Sequence, residues 1–306
     1  MPILRNIFQE TTGIRDPMPI KKNQFKQKGK TLVAIERSSR NINARIKAAV
    51  DTIGGFKKII KKGDSVLLKP NFVFPREPPC TTSLDFLLAV IKQCFAAGAS
   101  KVTVGESAAY WVDTEKCMQK LGVIEPIKKA GAEIAFFDQQ KWITVRMNSK
   151  IITDVAFPEA AFAHDRIIFL PCMKTHRLAR FTLSLKLAYG LLSTRYRTAQ
   201  LHFVNLEEKV AEVNKAIHPD LIIMDGRKCF VTEGPSHGQL ENPNVLLASG
   251  DRVAIDIEAI KILRSYKAKN LLEFDDPFAY DQIRRAAELG LGVKSEKEIK
   301  VIRVEG

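Results

Sequence analysis

The chain lacks the motifs that identify several common enzyme classes. Its 306 residues contain neither the GxxxxGKS/T phosphate-binding loop nor the GxGxxG dinucleotide motif. The usual evidence for an ATPase or a nicotinamide dehydrogenase is therefore missing. Long apolar runs are also missing, since no stretch approaches the roughly 18 residues that a membrane-spanning helix needs.

Cysteine is sparse and scattered. Five cysteines occur, with no CxxC pair and no Cys/His cluster. This spacing does not supply a zinc site or an iron–sulfur cluster, so neither is expected. Unpaired thiols, and an amino terminus without a continuous apolar leader, favour a cytoplasmic protein.

The net charge of +14 is unevenly distributed. Residues 1–63 hold fifteen Lys and Arg against four acids, and residues 171–202 hold six against none. Local positive charge favours a defined anionic partner. Nucleic acid is not the expected partner, because only three aromatic residues accompany the basic residues of the first 63 positions. We expect a small anionic molecule.

Short apolar runs alternate with amphipathic segments of helical length, which is typical of parallel strands joined by crossover helices. We predict an α/β fold with a mixed, mainly parallel sheet and helices on both faces; two lobes around a cleft are an open alternative. A two-stranded hairpin over residues 141–157 makes the sheet mixed. The predicted strands are 31–36, 65–69, 101–105, 133–137, 166–170, 220–225 and 244–249, and the predicted helices are 43–53, 84–97, 114–121, 181–192, 206–217, 252–263 and 281–289.

The first 30 residues have little periodicity and are interrupted by glycine and proline. We predict a basic amino-terminal arm over residues 1–30 and one α/β domain over residues 31–306. No internal repeat or low-complexity linker divides the chain further.

Polar residues directly follow five of the predicted strands. Ligands of open α/β sheets bind beyond the carboxyl ends of the strands, so these residues can converge on one cleft. Turns also favour polar residues, and that alternative stays open for each strand end taken alone. The residues are Lys69 and Asn71, Glu106, Lys174 and His176, Asp225, and Ser249 and Asp251.

Lys186 is the strongest candidate for a catalytic residue. It is the only charged residue between positions 181 and 194, in the segment FTLSLKLAYGLLST. An ammonium in apolar surroundings must reach water, find a counter-ion or lose its proton as desolvation lowers its pKa. We predict that Lys186 anchors a cofactor covalently or acts as a base of lowered pKa.

Five further residues are predicted to complete the site, four of them by binding an anion. His176 is predicted to transfer a proton, with a histidine bound to the backbone as the alternative. Lys69, Lys174 and Arg177 are predicted to bind a carboxylate or phosphate together with Asn71. The alternative is that these basic side chains lie in solvent at the rim of the site and bind no ligand.

A divalent metal is a further hypothesis, with His202, His237 and Asp225 as ligands, because imidazole and carboxylate groups bind such metals. Each residue has a structural alternative. His202 can interact with a helix end, His237 lies in the glycine-flanked turn EGPSHG, and Asp225 can orient a histidine.

Seven short motifs together resemble the family called domain of unknown function 362. They are KPNFV, VGES, KTH, SLKLAYG, MDG, EGPSHG and SGDRVAIDIEA, in that order between residues 69 and 259. The resemblance implies no defined activity. Some members of the family carry a ferredoxin-like module with clustered cysteines, which this chain lacks, so the resemblance implies no iron–sulfur cluster.

A more distant resemblance, to the nickel-pincer lactate racemase family, bears on mechanism. In that family a histidine is the acid/base, a later lysine carries the pincer and a further histidine ligates nickel. His176, Lys186 and His202 stand in this order, ten and sixteen residues apart. The family's partner acid/base histidine is absent where Glu106 stands, so Glu106 is the candidate for a second proton transfer.

Two functions stay open from the sequence. The favoured one is a small-molecule enzyme in which lysines hold an anionic substrate, His176 moves a proton and Lys186 supplies the amine. The alternative is a non-catalytic module whose basic pocket binds a nucleotide, a phosphate or an acidic partner.

Overall fold

The computed structural model describes residues 11–109, 111–193, 197 and 204–305. In this part of the chain there are fifteen strands and eight α-helices. The helices are α1 Ile42–Ile53, α2 Leu84–Ala97, α3 Thr114–Lys120, α4 Ile124–Lys129, α5 Ser184–Leu187, α6 Leu206–Val213, α7 Arg252–Ser265 and α8 Asp281–Glu288. The strands are β1 Thr11–Arg15, β2 Lys26–Gln27, β3 Lys30–Glu36, β4 Ser65–Lys69, β5 Lys101–Glu106, β6 Glu133–Phe136, β7 Trp142–Arg146, β8 Asp154–Pro158, β9 Arg166–Phe169, β10 Cys172–His176, β11 Arg180–Thr182, β12 Leu221–Phe230, β13 Leu240–Glu241, β14 Val245–Ser249 and β15 Ile299–Val304.

The large sheet is mainly parallel. Its main strand order is β15-β3-β14-β12-β9-β4-β5-β6, and β2, β10, β11 and β13 pair with members of this path or with each other. Every strand of the path runs in the same direction except β14, which is antiparallel to both β3 and β12. The predicted α/β fold with a mixed, mainly parallel sheet is confirmed.

Both faces of the sheet are buried. Along β4, Val66 and Leu68 join one hydrophobic core and Leu67 joins the other. Helices α1 to α4 pack on the first face, whereas α5 to α8 pack on the second. Strands buried on both faces read as continuous apolar runs, which is why the sequence around β4 is easily recognised as a strand.

Residues 11–27 pack against the domain. The strand β1 pairs with β7, and β7 pairs with β8 in the antiparallel hairpin predicted over residues 141–157, giving a separate three-stranded sheet. The expectation that this hairpin makes the large sheet mixed is therefore wrong, because β14 supplies the antiparallel pairing there. The strand β2 pairs with β3, and Phe25 next to it is fully buried. This part of the amino-terminal segment therefore contributes to the core.

The predicted helix over residues 181–192 is wrong. Arg180–Thr182 forms β11, the single turn α5 follows, and a 3-10 turn continues over Ala188–Leu191. The apolar run does not reveal this because strand, helix and turn are all buried here, so the periodicity of an amphipathic helix is absent.

The expected convergence of five strand ends is also corrected, since Asp225 lies inside β12 rather than at its end. Because β14 is antiparallel, Ser249 lies opposite Val33 and Ile222, at the edge of the sheet where β3 and β12 begin. Asp251 follows it and accepts the N–H groups of Val253 and Ala254, so this carboxylate caps α7.

Phe137 packs directly over Gly105 in β5. A Cβ added at Gly105 would lie 2.2 Å from Phe137 Cζ and 2.9 Å from Leu67 Cδ1. We predict that Gly105→Ala lowers the free energy of unfolding by about 1–3 kcal/mol, because the added methyl group overpacks the core. Urea unfolding followed by circular dichroism measures the loss. Gly13→Ala is the control, since a Cβ there meets nothing within 4 Å, and an equal loss in both variants contradicts the packing argument.

Candidate functional site

A cleft of about 480 Å³ opens at the carboxyl edge of the parallel strands. Parallel strands end at the same edge of a sheet, so polar residues at their ends are brought together. Eight of the ten residues proposed from the sequence line this cleft: Lys69, Asn71, Glu106, Lys174, His176, Arg177, Lys186 and His237.

Lys69 and Glu106 form a buried ion pair in this cleft. They end β4 and β5, which are adjacent and parallel, so the two side chains lie next to each other. Lys69 Nζ donates to Glu106 Oε1 at 2.6 Å and to the Pro70 carbonyl at 2.7 Å. The N–H groups of Phe72 and Ser107 also donate to the Glu106 carboxylate. The carboxylate is therefore engaged by three donors, and it balances the charge of Lys69.

Lys174 is fully buried, and no carboxylate pairs with it among the described residues. Its Nζ donates to the Cys80 carbonyl at 2.6 Å, and Asn71 Nδ2 is 3.4 Å from the same oxygen. An ammonium has three N–H donors, so two are left for a ligand in the cleft.

The backbone fixes the His176 ring. Its Nδ1 accepts the N–H groups of Leu178 and Ala179, each at 3.1 Å. A ring nitrogen that accepts hydrogen bonds carries no proton, so the neutral ring holds its proton on Nε2. His176 is therefore a hydrogen-bond donor through Nε2.

Lys186 lies on α5 and is half-buried. No hydrogen bond or ion pair reaches its Nζ in the described part of the chain; this atom lies 5.4 Å from the centroid of the Tyr189 ring. Burial, together with the positive charges of Lys174 and Arg197, lowers the pKa of Lys186 to about 8. A substantial fraction of the amine is neutral near that pH.

A buried carboxylate holds the turn that carries Lys186. Asp256 on α7 accepts the Ser184 N–H through Oδ1 at 2.8 Å and the Leu185 N–H through Oδ2 at 2.9 Å. Asp256 is fully buried, and burial raises its pKa to about 7 although both N–H groups oppose the shift. Asn214 Nδ2 donates to the Leu185 carbonyl at 2.8 Å, so both sides of the turn are anchored.

Arg197 is a candidate that sequence reasoning missed. It lines the cleft and is 7% exposed, and its guanidinium donates to the carbonyl and the hydroxyl of Ser107. Burial lowers the pKa of Arg197 to about 10, with Glu106 opposing the shift. The acid-free basic segment at residues 171–202 was the available signal, but it does not identify which of its basic residues is buried.

The cleft is strongly cationic. Among the residues that the structure describes, its charged lining is five Lys and Arg side chains and one carboxylate: Lys69, Lys174, Arg177, Lys186 and Arg197 against Glu106. Since Lys69 and Glu106 pair with each other, the other four cations set the charge that a ligand meets.

Aromatic residues line another part of the cleft and were also missed. Phe74 and Trp111 have ring centroids 5.6 Å apart, and Trp111 is 55% exposed. Phe74 directly follows the KPNFV motif, which is the signal that could have found it.

His237 lies on an exposed loop. His237 Nε2 is 3.1 Å from Glu233 Oε2, and both side chains are more than half exposed. Residues 234–238 match the GxSxG pattern of a nucleophile elbow. The loop joins the antiparallel strands β12 and β13, however, and no strand–turn–helix context surrounds it. Gly234 has φ +68°, and a Cβ there would lie 1.9 Å from the Thr175 carbonyl oxygen, so the loop packs tightly against β10.

Of the three proposed metal ligands, Asp225 and His237 lie in the described part of the chain, and they line different clefts. Asp225 pairs with Arg227 at 2.9 Å, accepts the Ser83 hydroxyl and faces a neighbouring cleft. His202 lies outside the described residues. Nowhere in the described ranges do three or more His, Cys, Asp or Glu side chains cluster as metal ligands would. Metal binding by His202, His237 and Asp225 therefore stays a prediction.

The fold and the cleft define an α/β protein with a cationic site at the carboxyl edge of its sheet. The chain belongs to the family described as Domain of unknown function (DUF362), whose model matches residues 66–261. Among curated proteins, it is 27% identical over 228 residues to the thylakoid-associated protein sll1697 of Synechocystis sp., covering 72% of this chain and 70% of that protein. In the described ranges, no helix has the length and apolar content to cross a bilayer.

Two solved structures show distant likeness. The lactate racemase apoprotein from Thermoanaerobacterium thermosaccharolyticum is 12% identical with a TM-score of 0.44, and the match covers 79% of this chain and 58% of that one. A protein from Thermotoga maritima is 12% identical with a TM-score of 0.41, over 73% and 58%. The chain thus spans little more than half the length of either protein, and likeness at this level assigns no activity.

The Asp256 cap gives a testable stability effect. We predict that Asp256→Ala lowers the free energy of unfolding by about 3 kcal/mol, because two buried N–H groups lose their acceptor. Urea unfolding measures the loss, and hydrogen exchange at the Ser184 and Leu185 amides should accelerate. Asp281→Ala, which removes a half-exposed partner of Arg284, is the control and should cost less than about 1 kcal/mol. Unchanged exchange at both amides would show that the cap does not hold the turn.

Proposed function

We propose that the protein is a small-molecule enzyme that binds an anionic substrate in the cationic cleft and uses Lys186 as its reactive amine. The observation that carries the proposal is an amine with a pKa of about 8, without a counter-ion among the described residues, inside a cleft of about 480 Å³. Lysines of lowered pKa serve as bases and nucleophiles because their neutral form has a free lone pair.

Lys174 and Arg197 are the two buried cations that we expect to hold the anion. Lys174 has two N–H donors beyond its bond to Cys80, and the Arg197 guanidinium lies at the same cleft. Charge-assisted hydrogen bonds from both orient a carboxylate or a phosphate. Arg177 lies exposed at the edge of the cleft and adds attraction at longer range.

The two other proposed catalytic residues take roles that follow from their contacts. His176 donates a hydrogen bond through Nε2 to a developing negative charge, since its Nδ1 is occupied by two N–H groups. Glu106 holds Lys69 and the loops that follow β4 and β5, because three donors already engage it.

A covalently held cofactor on Lys186 is the second candidate, supported by the same isolated amine. Intact-mass and metal analysis of protein from its native host tests it. A mass excess on the peptide that contains Lys186 would support a cofactor, and an unmodified peptide would oppose one.

We propose a cytoplasmic location, which five buried, unpaired cysteines support.

The lowered pKa predicts an early titration of Lys186. An amine reacts with acetic anhydride only when neutral, so labelling of Lys186 should rise with a midpoint near pH 8, below the pKa of about 10.4 of a lysine in a model peptide. Peptide mass spectrometry from pH 6 to pH 11 measures both rates in one sample, with exposed Lys57 as the internal control. Equal midpoints for Lys186 and Lys57 would favour the non-catalytic binding module.

Anion binding should depend on Lys174. Trp111 lines the cleft, so its fluorescence reports a titration with inorganic phosphate or with small carboxylates. We predict that Lys174→Met weakens binding about tenfold or more, because it removes charge-assisted hydrogen bonds. Lys228→Met is the matched control, since Lys228 lines the neighbouring cleft and should change affinity less than about twofold. Equal losses of affinity in both variants would indicate that the anion binds outside this cleft.

A further inference from the structure

We propose that Lys186 forms an imine with the carbonyl group of a 2-oxo acid that carries an apolar side chain. This inference rests on the proposed function and names the substrate class of the same site. It requires three features in one cleft: a neutral amine, cations for a carboxylate next to the carbonyl, and an apolar wall for the remainder of the substrate.

The amine is placed for attack on a carbonyl carbon. Among the described residues, no carboxylate and no other acceptor makes a hydrogen bond with Lys186 Nζ. This atom lies 5.4 Å from the centroid of the Tyr189 ring. Lys69 Nζ, by contrast, makes two hydrogen bonds in the same cleft, one of them to the Glu106 carboxylate.

The carboxylate position is set by the charges around that amine. Lys174 and Arg197 are near enough to Lys186 for their charges to lower its pKa. An anion held by Lys174 and Arg197 in this cleft brings a carbonyl beside its carboxylate close to the neutral Lys186 Nζ. A 2-oxo acid has these two groups on adjacent carbons.

The remaining wall favours an apolar substituent. Val73, Phe74, Ala109, Trp111 and Leu187 line the cleft, and Trp111 and Phe74 present aromatic rings in contact with each other. A volume of about 480 Å³ suits a compact ligand with one ring. Burying such a ring against these residues adds affinity that a substrate with only a methyl group lacks.

The covalent step balances without a further reactant. The Nζ lone pair forms the C–N bond while the carbonyl π pair moves to oxygen, and one N–H proton passes to that oxygen. The second N–H proton then leaves with the hydroxyl group as water, and the nitrogen lone pair forms the C=N bond. His176 Nε2–H can donate a hydrogen bond to the oxygen as charge develops on it.

Reductive trapping of the full chain tests the proposal. Phenylpyruvate and cyanoborohydride should add one reduced adduct per chain, located by peptide mass spectrometry at Lys186. Pyruvate should need about tenfold higher concentration for half-maximal trapping, because it lacks the ring. 3-Phenylpropionate, which has the ring and the carboxylate but no carbonyl, should protect Lys186 from trapping.

Two variants and one comparison separate the outcomes. Lys186→Arg keeps the charge and should give no adduct. Lys57→Met removes an exposed lysine and should give the same adduct at Lys186 as the unmodified chain. No adduct at Lys186, or equal adducts at exposed lysines, overturns the imine. If Lys186 still titrates near pH 8 and Lys174→Met still weakens anion binding, the imine alone fails and the proposed function stands. If both of those effects are missing as well, the proposed function fails too.

Discussion

The site depends on one buried carboxylate. Asp256 reaches from α7 to the two N–H groups that begin α5, and it does so from a fully buried position. A single helical turn has too few internal hydrogen bonds to be stable alone, so its orientation comes from these contacts and from Asn214. Lys186 is on that turn, and the direction of its amine therefore follows from the core beneath it rather than from the surface.

The second constraint is strand direction. Because β4, β5 and β12 run parallel, their carboxyl ends meet at one edge, and residues far apart in sequence come within hydrogen-bonding distance there. The Lys69–Glu106 pair joins two of those ends at 2.6 Å. Glu106 is the one carboxylate of the described lining and it pairs with Lys69, so no other acid of that lining competes with a ligand for the remaining basic side chains.

Much of the fold could be predicted from the sequence, because buried parallel strands and amphipathic helices have strong patterns. The strand over residues 65–69 and the helix over residues 84–97 were predicted with the observed bounds. The β10–β11 hairpin and α5 were not predicted, because an apolar segment that is buried on all sides shows no hydrophobic periodicity. Lys186 stood out as an isolated charge, whereas Arg197 depends on tertiary burial that no local pattern encodes.

The reversed direction of β14 separates two kinds of polar residue in space. Its carboxyl end places Ser249 and Asp251 at the far edge of the sheet, where their hydrogen bonds serve the start of α7 and the adjoining backbone. Ser249 and Asp251 therefore make these structural hydrogen bonds away from the edge that carries the cleft. Side chains at the cleft edge can consequently be exchanged without disturbing the hydrogen bonds that hold the start of α7.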